Sequence, residues 1–234
     1  GLTYPSIGDP ERFSVDDRMI VAPPPPAERA AVEILRASTI GPPPANTPLP
    51  TDINGIVLIK VGDKITTDHI MPAGPFLKLR SNIPEYAKAV FFSLNEPGAP
   101  SFAERALAVK AKGAHGVIVA GDSYGQGSSR EHAAICPMHL GVKLVIAKSF
   151  ERIHHENLVN FGVVPLTFAH AEDYAAIAPG MALRVQDMPA QLQAGGPITA
   201  TLDDGTTVTL AHSLSAQEVA VVLAGGLLNT LHRT

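Results

Sequence analysis

Apolar runs and polar stretches alternate along residues 53–168, and this pattern predicts strands and helices in turn. Residues 56–61 form a short apolar run that ends at Gly62, which predicts a strand. Ser101 and Glu104 have capping-box spacing and predict a helix that runs to about Lys112, where Gly113 ends it. The other predicted elements are a strand over 116–120, a helix from about Arg130, a strand over 143–147, a helix over 151–161 and a strand over 163–168. Such alternation favours a parallel sheet with helices packed on it.

The last part of the chain has a different pattern. Residues 198–202 and 206–210 flank Asp-Asp-Gly, which predicts a β-hairpin. Ser215 and Glu218 again have capping-box spacing and predict one final helix to about Leu231. The sequence therefore predicts an α/β domain with a mostly parallel sheet, helices packed on it and an added antiparallel hairpin.

Proline dominates the first 52 residues. Runs of proline at 23–26 and 42–44 are expected to be extended, because proline fixes φ and lacks an amide proton. Residues 27–38 have a helical composition and predict about three turns of helix. The segment is either a flexible linker or an arm whose apolar residues, Phe13, Met19, Ile20 and Val21, lie on another domain. We expect residues 1–52 to form this proline-rich arm or linker and residues 53–234 to form the domain.

Composition narrows the class of protein. The net charge is -4 and no run of like charge occurs, which argues against nucleic acid or a membrane surface as the main partner. No apolar stretch approaches the ~20 residues that span a bilayer, and no secretory leader opens the chain. The chain starts at Gly1, so we expect a processed chain or a piece of a longer one. With one cysteine, Cys136, neither an internal disulfide nor an iron–sulfur cluster is expected within this chain.

The densest group of reactive side chains lies at residues 121–132, Gly-Asp-Ser-Tyr-Gly-Gln-Gly-Ser-Ser-Arg-Glu-His, between a predicted strand and a predicted helix. Such a loop lies at the carboxyl ends of the strands, where ligands of parallel α/β sheets usually bind. Glycine allows close approach of the backbone to a ligand, the helix start favours an anion, and Arg130 adds a planar cation suited to a carboxylate. These features favour an anion-binding turn.

Two other interpretations of this turn stay open on local grounds. Ser128 and Glu131 have capping-box spacing, so Ser128 could act only as a helix cap. Gly-Asp-Ser-Tyr-Gly also matches the nucleophile elbow of α/β-hydrolases, with Ser123 as nucleophile and Asp173 and His212 following in the required order. No His-Gly-Gly-Gly segment of the oxyanion type precedes it, and the pattern is short.

Two motifs resemble the aconitase family, in its C-terminal swivel domain. The first is Lys-Ile-Thr-Thr-Asp-His-Ile at 64–70 with Ala-Gly-Pro-Phe-Leu-Lys-Leu-Arg at 73–80. The second is Tyr-Gly-Gln-Gly-Ser-Ser-Arg-Glu-His-Ala at 124–133, followed by Lys-Ser-Phe-Glu-Arg-Ile-His at 148–154. The resemblance is close over about residues 53–168. Gln126 stands where the family often has Glu, and Met71-Pro72 replaces a pair of small residues, which suggests a divergent branch.

The resemblance implies a swivelling β/β/α-type domain and a hydro-lyase that isomerises citrate and isocitrate through cis-aconitate. It implies that Ser128 is the catalytic base and that the substrate is bound by Arg80, Ser129, Arg130 and Asp68. The base would act as an alkoxide, which requires a strongly positive surrounding. From the residues alone, Asp68 could instead form an Asx-type turn with Thr67, and Arg80 could be a surface arginine.

The resemblance also implies parts that this chain lacks. A [4Fe–4S] cluster serves the complete enzyme and is ligated outside this chain, so cluster-bearing domains or a large subunit are the expected partners, with a small tricarboxylate as substrate and no metal bound here. Related substrates are homoaconitate, isopropylmalate and methylcitrate, and Arg80 favours a tricarboxylate. A serine hydrolase using Ser123 and a non-enzymatic domain that binds partners or RNA are the remaining alternatives, and the net charge argues against RNA. A cytoplasmic location is expected.

Overall fold

The computed structural model describes residues 3–5, 8–9 and 12–231. Contacts divide the chain into two units, Gly1–Arg36 and Ala37–Thr234. Within the second unit, Gly41 N donates to Ser81 O at 2.8 Å and Leu49 N donates to Leu223 O at 3.1 Å. Residues 37–52 are therefore hydrogen-bonded to the domain that follows them. The boundary expected after residue 52 stays a prediction.

Among the described residues of the first unit, the helical segments are two short 3₁₀ helices at Asp17–Met19 and Arg29–Ala31. The predicted helix of three turns over 27–38 is therefore wrong. An isolated helix of that length is marginal in water unless it buries an apolar face, and Val32, Ile34 and Leu35 are all exposed. The proposed anchors Phe13, Met19, Ile20 and Val21 are also exposed. Residues 1, 2, 6, 7, 10 and 11 of the predicted arm lie outside the described residues.

The second unit is built on a closed barrel of seven strands in the order β1-β2-β3-β4-β7-β6-β5. The strands are β1 (Ile53–Val61), β2 (His115–Ala120), β3 (Val142–Ala147), β4 (Val164–Phe168), β5 (Ala182–Val185), β6 (Ile198–Leu202) and β7 (Thr207–Ala211). Every predicted strand is present within three residues of its expected bounds.

The sheet is mixed, and its expected mostly parallel character is not confirmed. Strands β1 to β4 pair in parallel, whereas the pairs β4–β7, β7–β6, β6–β5 and β5–β1 are antiparallel. The physical reason is that helical crossovers connect only the first four strands. The predicted hairpin is the β6–β7 pair, and with β5 it closes the sheet into a barrel. The α/β class and the hairpin are confirmed.

Eight α-helices surround the barrel in the described part of the chain. They are α1 (Thr67–Ile70), α2 (Ile83–Tyr86), α3 (Phe102–Ala111), α4 (His132–His139), α5 (Arg152–Asn160), α6 (Met188–Ala194), α7 (Ala216–Ala224) and α8 (Leu227–Leu231). The capping boxes predicted for α3 and α7 are both formed. None of these helices is long and apolar enough to cross a membrane.

The single helix predicted for the C-terminus is wrong, because it is two helices. Gly225 ends α7 with φ of 86°, and α8 begins at Leu227. A Cβ atom on Gly225 would lie 2.3 Å from Thr47 O. The chain turns here because glycine alone tolerates both the left-handed conformation and this close approach.

Two apolar cores hold the fold together. One fills the barrel and includes Val57, Val119, Ile146 and Leu166, all nearly inaccessible. The other lies between the outer face of the first three strands and helices α2 to α4. The carboxyl ends of the parallel strands β1 to β3 are therefore adjacent at one end of the barrel, and the segments that follow β1 and β2 meet there.

Candidate active site

The two sequence motifs meet at the carboxyl end of the barrel. The segment after β1 and the loop after β2, residues 121–131, are joined by an isolated β-bridge between Thr66 and Gln126. Thr67 N donates to Gln126 O at 2.8 Å, and Gly125 N donates to Ile65 O at 2.8 Å. Parallel pairing of neighbouring strands explains why motifs about 60 residues apart lie together.

Ser128 lies on the exposed side of this junction, and polar groups surround its hydroxyl. Its Oγ accepts a hydrogen bond from Arg130 Nη2 at 3.1 Å. Thr67 is buried, and its hydroxyl donates to Ser128 O at 3.1 Å while lying 3.5 Å from Ser128 Oγ. The hydroxyl of Ser128 is thus held by one permanent cation and backed by a second hydroxyl.

Arg130 is fixed by contacts to the other motif. Its Nη1 donates to Asp68 Oδ1 at 2.6 Å and to Met71 O at 2.8 Å, and only 17% of its side chain is exposed. The hydrogen bond from Arg130 lowers the pKa of Asp68 below its ordinary value. Asp68 lies in the first turn of α1 and forms an ion pair with Arg130, which orients the arginine.

The backbone around Ser128 carries unused donors. Within the described residues, the amides of residues 127–131 donate to no acceptor. Helix α4 begins three residues later than the cap hypothesis requires: its N-cap is Glu131, which makes no side-chain capping bond. Ser128 as a helix cap is therefore wrong. Amides without acceptors beside an arginine are donors that an anion can use.

A buried histidine supports the loop from behind. The His154 ring packs on Tyr124 with ring centroids 5.2 Å apart, and both of its ring nitrogens are buried without a hydrogen-bond partner. Burial lowers its pKa to about 4, so the ring is neutral at pH 7. Gly125, with φ of +88°, lies against this ring, and a Cβ atom there would be 2.2 Å from His154 Cγ. Only glycine fits between the loop and the histidine.

These elements enclose a cleft of about 200 Å³ in front of Ser128. Ser129 and Asn157 lie in its wall, as do Thr67, Arg130 and Arg152. Ser129 is exposed, and its hydroxyl forms no hydrogen bond within the described residues. Two serines and an arginine thus line a cleft suited to a small carboxylate.

Arg80 lies apart from this group. It ends a 3₁₀ helix at Gly74–Leu79, and its carbonyl oxygen accepts from His132 Nε2 at 2.9 Å. Its side chain is exposed and, in the described part of the chain, makes no hydrogen bond or ion pair. The structure therefore brings together Ser128, Ser129, Arg130 and Asp68, whereas Arg80 is held nearby only through its backbone.

The alternative elbow around Ser123 does not form a triad. Ser123 has φ of 56°, and its amide donates to Ser149 Oγ at 2.9 Å. His212 Nδ1 accepts from Leu214 N at 3.2 Å, and no hydrogen bond among the described residues links His212 to Ser123 or Asp173. The nucleophile, base and orienting acid of a serine hydrolase are not connected.

Two side chains of the site were missed by sequence reasoning. Thr67 lies within the motif at 64–70, but the sequence does not indicate that its hydroxyl contacts Ser128. His154 ends the motif at 148–154, and nothing in its local sequence indicates that its ring faces Gly125. Both roles arise from contacts between distant segments.

Comparisons with known proteins found similar sequences and a similar fold. Residues 81–171 match the family model described as the aconitase C-terminal domain. A probable mitochondrial aconitate hydratase from Caenorhabditis elegans is 37% identical over 196 residues, covering 75% of this chain and 25% of that protein. A mitochondrial aconitate hydratase from Arthroderma benhamiae is 34% identical and is covered to 29%, with 88% of this chain matched. The chain thus spans about a quarter of the length of these relatives.

The crystal structure of a 3-isopropylmalate dehydratase from Methanocaldococcus jannaschii has a similar fold. Its TM-score is 0.57 and its sequence identity 28%, and the match covers 78% of this chain and 93% of that one. The chain therefore contains a segment, residues 81–171, that matches the C-terminal domain of the aconitase family, within a fold that it shares with that dehydratase chain.

The residues of this chain do not fit the iron–sulfur cluster of that family. Such a cluster takes several cysteine thiolates, and the sequence has only Cys136. That thiol is buried in the outer core, where burial raises its pKa strongly. No group of three or more His, Cys, Asp or Glu side chains that could hold a metal occurs in the part of the chain that the structure describes.

Proposed function

We propose that this chain is the C-terminal swivel domain of an aconitate hydratase and that it contributes one half of a shared active site. The observation that carries the proposal is the hydroxyl of Ser128, which is held by Arg130 at 3.1 Å among backbone amides without acceptors. This arrangement suits a base that must become an anion next to a bound carboxylate.

In the proposed reaction, the Ser128 alkoxide removes a proton from the carbon next to a substrate carboxylate. The Oγ–H bond forms as the C–H bond breaks, and the electron pair becomes the double bond of cis-aconitate. The C–O bond of the neighbouring carbon breaks at the same time, and its hydroxyl group takes up a proton from the partner's half of the site and leaves as water. A serine alkoxide is unfavourable in water, but fixed donors in a site that excludes water lower its free energy. Arg130 and the free amides of residues 127–131 are these donors. Addition of water reverses the same steps.

The remaining side chains have positioning roles in this proposal. Ser129 donates to a substrate carboxylate, and Asp68 keeps Arg130 aimed at Ser128 through its bond of 2.6 Å. Arg80 binds a further carboxylate once its exposed side chain turns towards the cleft. A tricarboxylate needs this additional cation, whereas a substrate with fewer carboxylates does not.

The proposed partner is the cluster-bearing part of the enzyme, either as further domains or as a large subunit. The cluster would be ligated there, because this chain has a single buried cysteine. The relatives described above carry "mitochondrial" in their names. The cytoplasmic location expected from the sequence stays a prediction.

A second candidate is a related hydro-lyase whose swivel domain is a separate subunit. The specific observation in its favour is that the fold matches 93% of the 3-isopropylmalate dehydratase chain. Isopropylmalate carries one carboxylate fewer than citrate and a branched apolar group instead. Activity with each substrate therefore separates the two candidates, and Arg80→Ala should weaken only the use of a tricarboxylate.

The experiment is hydration of cis-aconitate by this chain combined with cluster-bearing aconitase domains under anaerobic conditions. Loss of a general base costs typically 10²–10⁴-fold in rate, so Ser128→Ala should lower kcat by about that factor with a small change in KM. Ser123→Ala, in the same loop, is the matched control and should keep activity. Equal losses in the two variants would contradict the role of Ser128. Activity with isopropylmalate but not with cis-aconitate would show that isopropylmalate is the substrate.

A further inference from the structure

A second cleft, separate from the serine-arginine loop, lies between strand β1 and the segment that leads into α3. Its volume is about 440 Å³, larger than the cleft in front of Ser128. Leu58, Ile59, Leu94 and Pro100 supply apolar walls. Clefts of this size with apolar walls and a few converging polar groups are typical of sites for small organic ligands.

Arg105 is the main polar group of this second cleft. It lies on α3, and its Nε is buried without a hydrogen-bond partner. Within the described residues, its guanidinium forms no ion pair and no hydrogen bond to any acceptor. A guanidinium keeps its charge at all ordinary pH values, and a buried donor without an acceptor is costly. Such a group is stabilised when an anion occupies the cleft.

Lys60 also borders this cleft, but its ammonium group lies over a ring that is not part of the cleft wall. Its Nζ lies 4.2 Å from the centroid of the Tyr174 ring, and it forms no ion pair among the described residues. Burial, and then the nearby charge of Lys148, lower the pKa of Lys60. Glu96 also borders the cleft, but it pairs with neither cation within that part of the chain. The cleft therefore combines apolar walls with one guanidinium that has no partner among the described residues, and Lys60 and Glu96 lie at its border.

We propose that this second cleft binds an amphipathic monocarboxylate, with its carboxylate on Arg105 and its apolar chain against Leu58, Ile59 and Leu94. The planar guanidinium matches a carboxylate by two parallel hydrogen bonds, and Lys60 adds attraction at longer range. None of these residues takes part in the proposed reaction. The site is thus a second ligand site of the domain, and it does not depend on the proposed activity.

The test is an NMR titration of the full chain with hexanoate at pH 7, with 1-hexanol as the uncharged probe of similar shape. We expect shifts of the amides of Ile59 and Leu94 and a Kd of about 1 mM for hexanoate, a value typical of a small ligand. Arg105→Gln should weaken binding at least about tenfold, because a hydrogen bond to a charged group is lost. Lys78→Gln removes an exposed charge and should leave binding unchanged.

Two further variants serve as controls. Arg105→Lys keeps the charge and should bind hexanoate between wild type and Arg105→Gln, which separates charge from folding. Arg130→Gln should retain binding, because it changes only the cleft in front of Ser128. The proposal is overturned if hexanol binds as tightly as hexanoate, if Arg105→Gln binds like wild type, or if Arg130→Gln abolishes binding.

Discussion

Gly125 is the position at which the structure makes its sharpest prediction. It has φ of +88°, and a Cβ atom there would lie 2.2 to 2.4 Å from ring and Cβ atoms of His154. Contacts this short require one partner to move. His154 is only 2% exposed and packs on the Tyr124 ring, so it has little room to do so. Gly125→Ala should therefore destabilise the domain and displace the loop that carries Ser128.

The magnitude follows from two contributions. A residue with a Cβ in the left-handed conformation costs about 1 kcal/mol relative to glycine. Forcing an extra carbon into a packed site costs about 1–3 kcal/mol in addition. The free energy of unfolding of Gly125→Ala should thus fall by about 3 kcal/mol. Gly205, in the β6–β7 hairpin, has φ of +85° and nothing within 4 Å of its Cβ position. Gly205→Ala should show only the first contribution, about 1 kcal/mol.

Urea unfolding of the two variants, followed by circular dichroism, measures this difference. Equal m-values would show that both transitions expose the same surface, so the midpoints can be compared directly. A difference of about 2 kcal/mol between the variants isolates the clash with His154. If Gly125→Ala and Gly205→Ala are destabilised equally, the loop adapts to the added carbon and the argument from close approach is refuted.

Three further predictions concern side chains of the same site. Burial lowers the pKa of His154 from 6.5 to about 4, so its contribution to stability is present above pH 6.5 and is lost as pH falls towards 4. The loss amounts to about 3 kcal/mol at most. The unfolding free energy of His154→Gln should therefore depend less on pH over that range. Thr67→Val removes the hydroxyl bonded to Ser128 O and should lower stability by about 1 kcal/mol and kcat about tenfold. Thr67→Ser keeps the hydroxyl and should preserve both. Urea unfolding measures the first effect and turnover measures the second. Arg130 lowers the pKa of Asp68, so the ion pair contributes to stability above pH about 4, and this contribution is lost below that pH. Because Asp68 is largely exposed, Asp68→Asn should change the free energy of unfolding at pH 7 by less than about 1 kcal/mol. A larger change in chemical denaturation would contradict this.

Elements with strong local signals could be predicted from the sequence. Helices α3 and α7 begin where their capping boxes indicate, because Ser101 and Ser215 satisfy amides three residues ahead in both cases. The hairpin β6–β7 follows from Asp-Asp-Gly between alternating residues. These features depend on contacts within a few residues, so they need no knowledge of the fold.

Elements decided by distant contacts could not be predicted in this way. Strand β5 carries no prediction, although its pairing with β1 and β6 closes the barrel. The break between α7 and α8 depends on the approach of Thr47 O to Gly225, and the two are far apart in the chain. The length of the helix predicted over 27–38 likewise depended on a buried face that the structure does not provide. In each case tertiary packing overrides the local pattern.

The candidate site shows the same difference between local sequence signals and distant contacts. The motifs themselves indicated Ser128, Arg130 and Asp68, and the structure brings these three together. The motif could not indicate how the arginine divides its donors among them, since that depends on where α1 lies relative to the loop after β2. It also could not indicate that the side chain of Arg80 stays outside the cleft.

The way in which Arg130 distributes its N–H donors among its partners determines how many remain for a substrate. A guanidinium has five N–H donors. Its Nη1 donates to Asp68 and to Met71 O, and its Nη2 donates once to Ser128 Oγ. Two donors therefore remain for a substrate carboxylate, so one fixed arginine can stabilise an alkoxide and bind the substrate at the same time. A lysine has three donors on one atom and could not make all these contacts. Asp68 compensates part of the positive charge, but it fixes the fork in the orientation that both tasks require.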